Sequence, residues 1–388
     1  MRLNHSIHLA YCTNIHRGET WAETFQNLKT HTLAVRDRVA KGEPFAIGLR
    51  LGVNAASELK VPARLGEFRA WLDQENCYVF TINGFPYGQF HGTRVKEQVY
   101  APDWTTRERV EYTMNLFDIL AEITPAGVEG SVSTVPCSYK EFITSPEQER
   151  AIRQNLWEVV ERLDALSKSS GKDLHLGLEP EPLCYLETSA ETVRFFQQMR
   201  ADRPEDDRIA RRLGVNYDAC HLAVEFEKAS EAIEAFRHEG IRLSKLHFSS
   251  ALKVVPTAEN RQKLKKFIDP VYFHQVIEKR GNQPLRRIRD LDDALAKQPS
   301  PNASELEWRI HFHVPLHHQP EGAFGTTADH LRELMDELAA DPRMCSHIEM
   351  ETYTWEVLPE ELKRPVVDSL VSEYEWTLGA MRQRGLAR

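Results

Sequence analysis

The segment Leu174-His-Leu-Gly-Leu-Glu-Pro-Glu-Pro182 is a short, mostly apolar run that ends in two glutamates separated by a proline. A run of this length followed by proline is typical of a buried strand in a parallel sheet. Amphipathic stretches flank it, from Pro146 to Lys168 before it and from Ser189 to Met199 after it. The segment therefore predicts a strand joined to its neighbours by crossover helices, with acidic side chains at its carboxyl end.

The same unit recurs along the whole chain. Short apolar runs alternate with stretches whose apolar residues recur at helical spacing, such as Thr20–Val39 and Leu222–Glu239. Eight alternations predict an α/β fold, a (β/α)8 TIM barrel, as a single domain over residues 1–388. The predicted strands are Ser6–Cys12, Phe45–Leu51, Cys77–Asn83, Gly130–Pro136, Leu174–Pro180, Leu213–Ala219, Leu243–Ser249 and His347–Thr352.

The strand spacing is interrupted once, between the seventh and eighth strands. The interval from Leu243 to His347 is about twice as long as any other, which predicts an insertion at about residues 253–306 that begins with a helix over Asn260–Arg280. Within residues 253–302, Lys and Arg outnumber Asp and Glu by 11 to 6. This excess is typical either of a solvated helical face or of a rim that attracts anionic substrates. The candidate rim residues are Arg286, Arg287 and Arg289.

Composition narrows the class of protein. The chain has 49 Lys and Arg against 58 Asp and Glu, a net charge of −9 at pH 7, which argues against nucleic acid as a partner. No apolar run approaches the ~20 residues needed to cross a bilayer, and the first eleven residues do not resemble a signal peptide. We therefore expect a cytoplasmic protein without membrane insertion. Six cysteines without Cys-x-x-Cys spacing predict free thiols.

Polar side chains end each of the last four predicted strands. They are Glu179, Asp218, His247 and Glu351. In a barrel the carboxyl ends of the strands meet at one mouth, so these side chains are expected to share a centre. Three carboxylates there repel one another unless a cation lies among them. We predict a divalent metal ion, and these ligand types are compatible with Mn²⁺, Mg²⁺, Fe²⁺, Co²⁺ or Zn²⁺.

Two other glutamates compete for the ligand positions. Glu181 and Glu349 each lie two residues from Glu179 and Glu351, so each points to the same side of its strand. We favour Glu179 and Glu351, because a ligand usually occupies the last inward-facing position before the loop.

Further polar residues are candidates for binding a substrate or an accessory ion. His311 and His313 alternate on the run before Pro315, so both can face one side and bind a metal; the alternative is a pair of exposed hairpin histidines. Four other polar residues lie at or beyond the ends of the second and third strands. Each is a candidate for binding polyol hydroxyl groups or a negative intermediate, or else for a surface salt bridge or a loop contact. They are Arg50, Asn83, His91 and Lys96.

This set of strand-end residues resembles the xylose isomerase-like barrels, whose sugar isomerase, sugar epimerase and endonuclease IV branches take metal ligands from strands five to eight. The resemblance implies that Glu179, Asp218, His247 and Glu351 bind the metal, and that Glu179 and Glu351 transfer protons. The Asp218-x-x-His221 pair is also similar. It implies that His221 reaches the substrate or, with His311 and His313, a second metal.

More narrowly, three runs resemble EboE-type proteins, a branch described as metabolite-traffic or sugar phosphate isomerase-like. The runs are Asn83-Gly-Phe-Pro-Tyr-Gly-Gln-Phe-His-Gly92, Tyr100-Ala-Pro-Asp-Trp104 and Leu316-His-His-Gln319.

The resemblances imply a metal-dependent isomerase or epimerase that acts on a small polyhydroxylated carbonyl compound, such as a sugar, a sugar phosphate or a cyclitol. The expected chemistry is metal-assisted proton transfer, with a hydride shift as the alternative. The expected partner is a small polyol-like molecule, and a homo-oligomer is compatible with this function. Two other functions stay open: an endonuclease IV-like phosphodiesterase and a non-catalytic metabolite-binding protein. Against the nuclease, strands two and three lack the histidines of that branch.

Overall fold

Residues 1–88, 96–318, 322–355 and 363–388 are described by a computed structural model of the chain. Its strands are β1 (His8–Tyr11), β2 (Phe45–Arg50), β3 (Cys77–Asn83), β4 (Gly130–Thr134), β5 (Leu174–Leu178), β6 (Leu213–Asp218), β7 (Arg242–Phe248), β8 (Ala251–Val254), β9 (Val276–Arg280), β10 (Arg286–Ile288), β11 (Leu306–His313), β12 (Phe324–Thr326) and β13 (His347–Met350).

Eight of these strands form a nearly closed parallel barrel. The order around the sheet is β1-β13-β7-β6-β5-β4-β3-β2, and every neighbouring pair is parallel. A single bridge between Cys12 and Gly48 brings the two ends of the sheet together. Helices connect successive strands, so the predicted TIM barrel is confirmed, and the carboxyl ends of all eight strands face one mouth.

The helices are α1 (Trp21–Asn27), α2 (Leu33–Val39), α3 (Val53–Leu59), α4 (Pro62–Gln74), α5 (Arg107–Ile123), α6 (Pro146–Ser170), α7 (Ser189–Asp202), α8 (Arg208–Arg212), α9 (Ala219–Val224), α10 (Ala229–His238), α11 (Ala258–Leu264), α12 (Leu291–Ala296), α13 (Ala328–Ala340) and α14 (Val366–Arg382). No helix in the described ranges is long and apolar enough to cross a membrane.

Local sequence signals explain where the helices begin and end. The longest, α6, begins with a capping box in which the Ser145 side chain accepts from the Gln148 backbone, and Pro146 occupies its first position. It ends at Gly171, whose φ of 69° is the left-handed conformation that glycine adopts at low cost. The helix predicted over Leu222–Glu239 is wrong as one element, because the chain breaks between α9 and α10, where Phe226 has a φ of 60°.

The long excursion between β7 and β13 folds into a second sheet. Its five antiparallel strands lie in the order β10-β9-β11-β8-β12. The sheet runs from Ala251 to Thr326, well past the end predicted near residue 306, because the alternating run Leu306–His313 is its central strand. This strand carries His311 and His313 to the mouth of the barrel.

The predicted helix over Asn260–Arg280 is wrong in its second half. The chain forms α11 and a short 3-10 turn, and then extends into β9, which pairs with Leu306–Ile310 of β11. Pro270 lies between the two elements and cannot continue a helix, and cross-strand pairing decides the rest. Local periodicity cannot reveal this partner, since it lies about thirty residues away in sequence.

Candidate metal centre

Four side chains meet at the carboxyl ends of β5, β6, β7 and β13. Glu179, Asp218, His247 and Glu351 are all buried, and each offers a ligand atom within 4.8 Å of the others. His247 Nδ1 lies 3.0 Å from Glu179 Oε1, 3.1 Å from Glu351 Oε2 and 3.4 Å from Asp218 Oδ2. The structure therefore brings together the four residues that the sequence analysis predicts as ligands. One imidazole nitrogen faces all three carboxylates.

The backbone places each carboxylate at the same level. Asp218 ends β6 and caps α9, because its Oδ1 accepts from the His221 backbone at 3.0 Å and from Ser249 Oγ at 2.6 Å. Glu179 and Glu351 each follow directly after a barrel strand. One oxygen of Glu351 accepts from two amides, Asn14 at 2.8 Å and Asn83 at 3.1 Å. These hydrogen bonds hold the carboxylates in place before any ligand binds.

Two carboxylate oxygens in this group lack a hydrogen-bond donor. Glu179 Oε2 and Asp218 Oδ2 are buried and accept no hydrogen bond among the described residues. A buried charged oxygen without a partner is costly, and an oxygen-binding cation at this point removes the cost. The donor set of three carboxylates and one imidazole therefore fits a divalent ion.

His247 is oriented by Glu349, one of the two competing glutamates. Its Nε2 lies 2.9 Å from Glu349 Oε2, and the same oxygen accepts from Lys245 Nζ at 2.6 Å. This contact directs Nδ1 toward the other carboxylates, as carboxylate partners commonly do for metal-binding histidines. Glu349 also interacts with a buried lysine, so it belongs to the support of the centre. This geometry favours Glu351 over Glu349 as the ligand.

Gly48 makes room for that support. A Cβ at this position on β2 would overlap Glu349 Oε1 and would lie 2.6 Å from the backbone oxygen of Tyr11. Because Gly48 has no side chain, Glu349 has room in the barrel interior beneath the cluster.

The imidazoles and carboxylates shift one another's protonation. Burial favours the neutral form of His247, but Glu351 and Glu179 raise its pKa well above the ordinary value. Burial likewise opposes ionisation of Asp218 and Glu351, yet His221 lowers the pKa of Asp218 and His247 lowers that of Glu351. Asp218 and Glu351 are therefore ionised at neutral pH, the state in which carboxylates bind cations, and His247 must release a proton when an ion binds through Nδ1.

A cavity of about 600 Å³ opens directly above the cluster. Glu179 and Glu351 reach its floor, and aromatic rings form much of its wall. The aromatic residues are Phe85, Tyr100, Tyr272, Phe273 and Tyr353.

Glu181, the second competing glutamate, lies in the cavity wall outside the four-residue cluster. It is 5% exposed, and its Oε1 accepts from Tyr100 Oη at 2.6 Å. Burial raises the pKa of Glu181 to about 7. The structure therefore separates the two acidic residues of β5's loop into one that faces the cluster and one that faces the cavity.

The three candidate histidines for a second metal lie beside the first cluster, all of them buried. Centroid distances between their rings are 4.5 Å for His221 and His311, and 5.7 Å for His221 and His313. They do not form one ligand group in the described parts of the chain: Asp218, His221 and His313 form one, and Cys220, His311 and His313 another. The alternative of exposed hairpin histidines is wrong, because β11 is the central strand of its sheet and covers the barrel mouth.

The candidate substrate-binding residues divide between the cavity and its surroundings. His221 and Lys96 line the cavity, and Lys96 Nζ pairs with Asp290. Asn83 lies beneath it and donates to Glu351. Arg50 is not part of the cavity wall. Its guanidinium donates to the backbone oxygens of Gly18 and Gly88, so it joins the loops after β1 and β3. His91 lies outside the described residues.

The three arginines proposed as a rim around the mouth are paired with carboxylates. Arg286 lies 3.4 Å from Glu278, Arg287 contacts Glu187 and Glu225, and Arg289 lies 3.2 Å from Glu97. None of the three lines the cavity. The geometry gives no support to the expectation that they attract an anionic substrate.

Sequence reasoning missed Asn14, Tyr100 and Lys245. Asn14 follows β1 and could have been found, since it is a polar residue at the carboxyl end of a predicted strand. Tyr100 lies in a 3-10 turn of the β3–α5 connection, and no periodic signal places its hydroxyl beside Glu181. Lys245 lies in the barrel interior, two residues before His247, where an amine is unexpected without its partner Glu349.

The barrel is similar to solved structures that share little sequence with it. A xylose isomerase-like TIM barrel protein from Mycobacterium smegmatis, in complex with magnesium, is 12% identical with 97% of each chain covered and a TM-score of 0.51. The IolI protein with a bound zinc atom and a probable 3-DHS dehydratase, AsbF from Bacillus anthracis, are each 12% identical with TM-scores of 0.48. They cover 97% and 96% of this chain and 99% and 98% of their own.

No protein-family model and no curated protein matches the sequence. The eight parallel strands and the similarity to the Mycobacterium smegmatis protein show that the chain has a TIM-barrel fold.

Proposed function

We propose that the protein is a metal-dependent isomerase or epimerase acting on a small polyhydroxylated carbonyl compound, such as a sugar, a sugar phosphate or a cyclitol. The observation that carries the proposal is the meeting of Glu179, Asp218, His247 and Glu351 beside a cavity that Glu179 and Glu351 line. Oxygen-rich ligation beneath a cavity suits a reaction in which charge develops on a substrate oxygen. We also propose that the protein is of the EboE type.

Glu179, Asp218, His247 and Glu351 are the residues that would hold the divalent ion. When bound, the ion supplies Lewis-acid stabilisation of a carbonyl oxygen and its neighbouring hydroxyl. The magnesium of the Mycobacterium smegmatis barrel protein is compatible with this role. The ligand types leave the choice among Mg²⁺, Mn²⁺, Fe²⁺, Co²⁺ and Zn²⁺ open.

Glu351 and Glu179 are the proposed proton-transfer pair. Both line the cavity, so each can reach a carbon-bound hydrogen of a molecule that fills it. Amide donors from Asn14 and Asn83 fix one oxygen of Glu351, which leaves the other oxygen toward the cluster. A base on one side of the substrate and an acid on the other permit epimerisation, whereas a single base that returns the proton to the neighbouring carbon permits isomerisation.

The cavity wall offers groups for binding hydroxyls. His221 Nδ1 donates a hydrogen bond to the backbone oxygen of Pro180 at 3.0 Å, so Nε2 is the nitrogen that can contact a substrate. Lys96 and Glu181 line the same cavity, and aromatic rings provide the apolar faces against which sugar carbons pack. We propose His221, Lys96 and Glu181 as substrate-binding residues, and Asn83 as the residue that positions Glu351.

The test is turnover in deuterated water with Mn²⁺-loaded protein and a panel of sugars, sugar phosphates and cyclitols. Proton transfer through solvent-exchangeable carboxylates incorporates deuterium at the isomerised or epimerised carbon. Glu351→Gln keeps the volume but removes the base, so we expect a loss of about 10²- to 10⁴-fold in turnover at equal metal content. Glu373→Gln is the matched control, because Glu373 is also a buried glutamate and does not line the cavity.

Retention of the original hydrogen, or full activity in Glu351→Gln, would contradict proton transfer and leave the hydride shift.

A second candidate function, a phosphodiesterase, is favoured by the group Asp218, His221 and His313, which is a further set of ligands that shares Asp218 with the first. Abasic DNA and phosphodiesters therefore belong in the panel, and cleavage of these without isomerase activity would replace the proposal. Binding of a panel compound without turnover would favour the non-catalytic alternative.

A further inference from the structure

A further group of histidine and glutamate side chains lies at the opposite, amino-terminal end of the barrel. Glu129 directly precedes β4, His175 lies on β5, and His347 begins β13. Each offers a ligand atom within 4.8 Å of the others. The interior of a TIM barrel is usually filled by branched apolar side chains, so two imidazoles in this layer need an explanation.

Hydrogen bonds fix how His347 faces this group. Its Nδ1 lies 2.8 Å from Ser131 Oγ, and Ser131 donates its own hydroxyl proton to Thr81 Oγ1 at 2.8 Å. Ser131 must therefore accept from Nδ1, which leaves a lone pair on Nε2. That Nε2 is buried and has no hydrogen-bond partner among the described residues. An unpartnered imidazole nitrogen in a fixed tautomer is the form that binds a metal.

A serine also contacts Nδ1 of His175. This Nδ1 lies 2.6 Å from Ser244 Oγ, and Nε2 of the same ring is buried without a hydrogen-bond partner in the described part of the chain. Both rings are hydrogen-bonded through Nδ1, and a ring whose Nδ1 donates to its serine has a lone pair on Nε2 and binds an ion there without losing a proton.

Glu129 supplies the anionic ligand and the route from solvent. Its Oε2 lies 3.5 Å from His175 Nε2, too long for a hydrogen bond. Metal–ligand bonds of ~2.0–2.1 Å at a tetrahedral angle place two ligand atoms about 3.4 Å apart, close to this distance. The Glu129 side chain is 43% exposed, so an ion can reach the group from the barrel's lower opening.

Arg242 also contacts Glu129, at 2.9 Å from Oε2, and Ser346 Oγ donates to the same oxygen at 3.2 Å. Arg242 has a second carboxylate partner, Asp173, at 2.8 Å. The guanidinium therefore keeps an ion pair when the Glu129 carboxylate turns toward a metal.

We propose that Glu129, His175 and His347 bind a Zn²⁺-like transition-metal ion at the amino-terminal end of the barrel. Two imidazole nitrogens and one carboxylate are the donors that Zn²⁺, Co²⁺ and Ni²⁺ prefer, in contrast to the oxygen-rich cluster at the mouth. In the sheet, β13 is separated from β5 by β7 and β6, so the ion links opposite sides of the barrel. Its role is structural, and it does not depend on the proposed function at the mouth.

The test is the number of Zn²⁺ equivalents bound by purified full-length protein, measured by equilibrium dialysis and metal analysis. Glu129→Gln and His347→Gln remove one ligand each with little change of volume, and each should bind one equivalent fewer than the wild-type protein. Asp173→Asn is the matched control: it removes the other ion pair of Arg242 without touching the ligand set, and it should keep the wild-type stoichiometry.

Equal Zn²⁺ stoichiometry in Glu129→Gln and the wild-type protein would overturn the proposal. Should His347→Gln fail to fold, wild-type crystals soaked in Zn²⁺ provide a second measurement. An anomalous peak between Glu129, His175 and His347 supports the site. No peak there in a crystal whose other Zn²⁺ sites are fully occupied rejects it. Failure of the proposed function at the mouth leaves this difference of one equivalent unchanged, so the two outcomes are distinguishable.

Discussion

The buried ion pair of Lys245 and Glu349 supports the candidate metal centre, and Glu349→Gln measures its contribution. Both side chains are at most 1% exposed, with Lys245 Nζ 2.6 Å from Glu349 Oε2. Glutamine keeps the volume and an acceptor for His247, but it removes the negative charge. Lys245 then keeps its hydrogen bond to Ser133 Oγ at 2.9 Å and loses its contact with an ionised carboxylate.

The expected cost is large because the amine cannot reach water. Removing one partner of a buried pair typically costs about 3–5 kcal/mol. Deprotonation sets a ceiling, since releasing the proton of an amine with an ordinary pKa of 10.5 at pH 7 costs about 5 kcal/mol. We therefore expect Glu349→Gln to lower the free energy of unfolding by about 3–5 kcal/mol at pH 7, and by less at pH 9, where deprotonation is easier.

Urea unfolding of three proteins tests this reasoning: the wild type, Glu349→Gln, and the double variant Lys245→Met/Glu349→Gln. The double variant removes the unpaired charge and should recover most of the lost stability. Metal affinity should fall by about 10-fold or more in both variants, because His247 loses its anionic partner. The reasoning is refuted if Glu349→Gln unfolds within about 1 kcal/mol of the wild type, or if the double variant is no more stable than the single one.

Three further predictions concern Gly48, Glu373 and Asn83. Gly48→Ala should lower the free energy of unfolding by about 1–3 kcal/mol in thermal or urea unfolding, because its Cβ overlaps Glu349. Glu373 has its pKa raised to about 7 by burial, so the folded state holds a proton that the unfolded state releases above its ordinary pKa of 4.5. Wild-type stability should therefore fall by about 3 kcal/mol, relative to Glu373→Gln, as the pH rises from 4.5 to 7, and parallel pH profiles of the two proteins would contradict this. Asn83→Ala removes one of two amide donors to Glu351, a hydrogen bond to a charged group worth about 1.5–3 kcal/mol, so turnover of an accepted substrate should fall about 10- to 100-fold with unchanged metal content.

The fold could be predicted because its signals are local. Most barrel strands are short buried runs followed by a helix, and α6 carries clear capping signals at Ser145 and Gly171. The same regularity placed Glu179, Asp218, His247 and Glu351 at one level, since strand ends converge in a barrel whatever the helices do.

The remaining features depend on contacts between distant residues. Strand β9 was predicted as helix because its pairing with β11 is invisible to periodicity, and this second sheet brings His311 and His313 to the mouth. The assignment of Glu349 to the support of His247 required its distance to Lys245 and the space left by Gly48. Similarly, an arginine-rich segment does not reveal that its guanidinium groups are paired with Glu187 and Glu225.

The most direct test of the central claim is anomalous diffraction from wild-type crystals grown with Mn²⁺. The account predicts a peak at the barrel mouth in contact with His247 Nδ1 and with the carboxylates of Glu179, Asp218 and Glu351. The matched crystal of His247→Gln should show that peak weakened or lost, with the barrel intact. A fully Mn²⁺-saturated wild-type crystal without a peak among these four side chains would contradict the account.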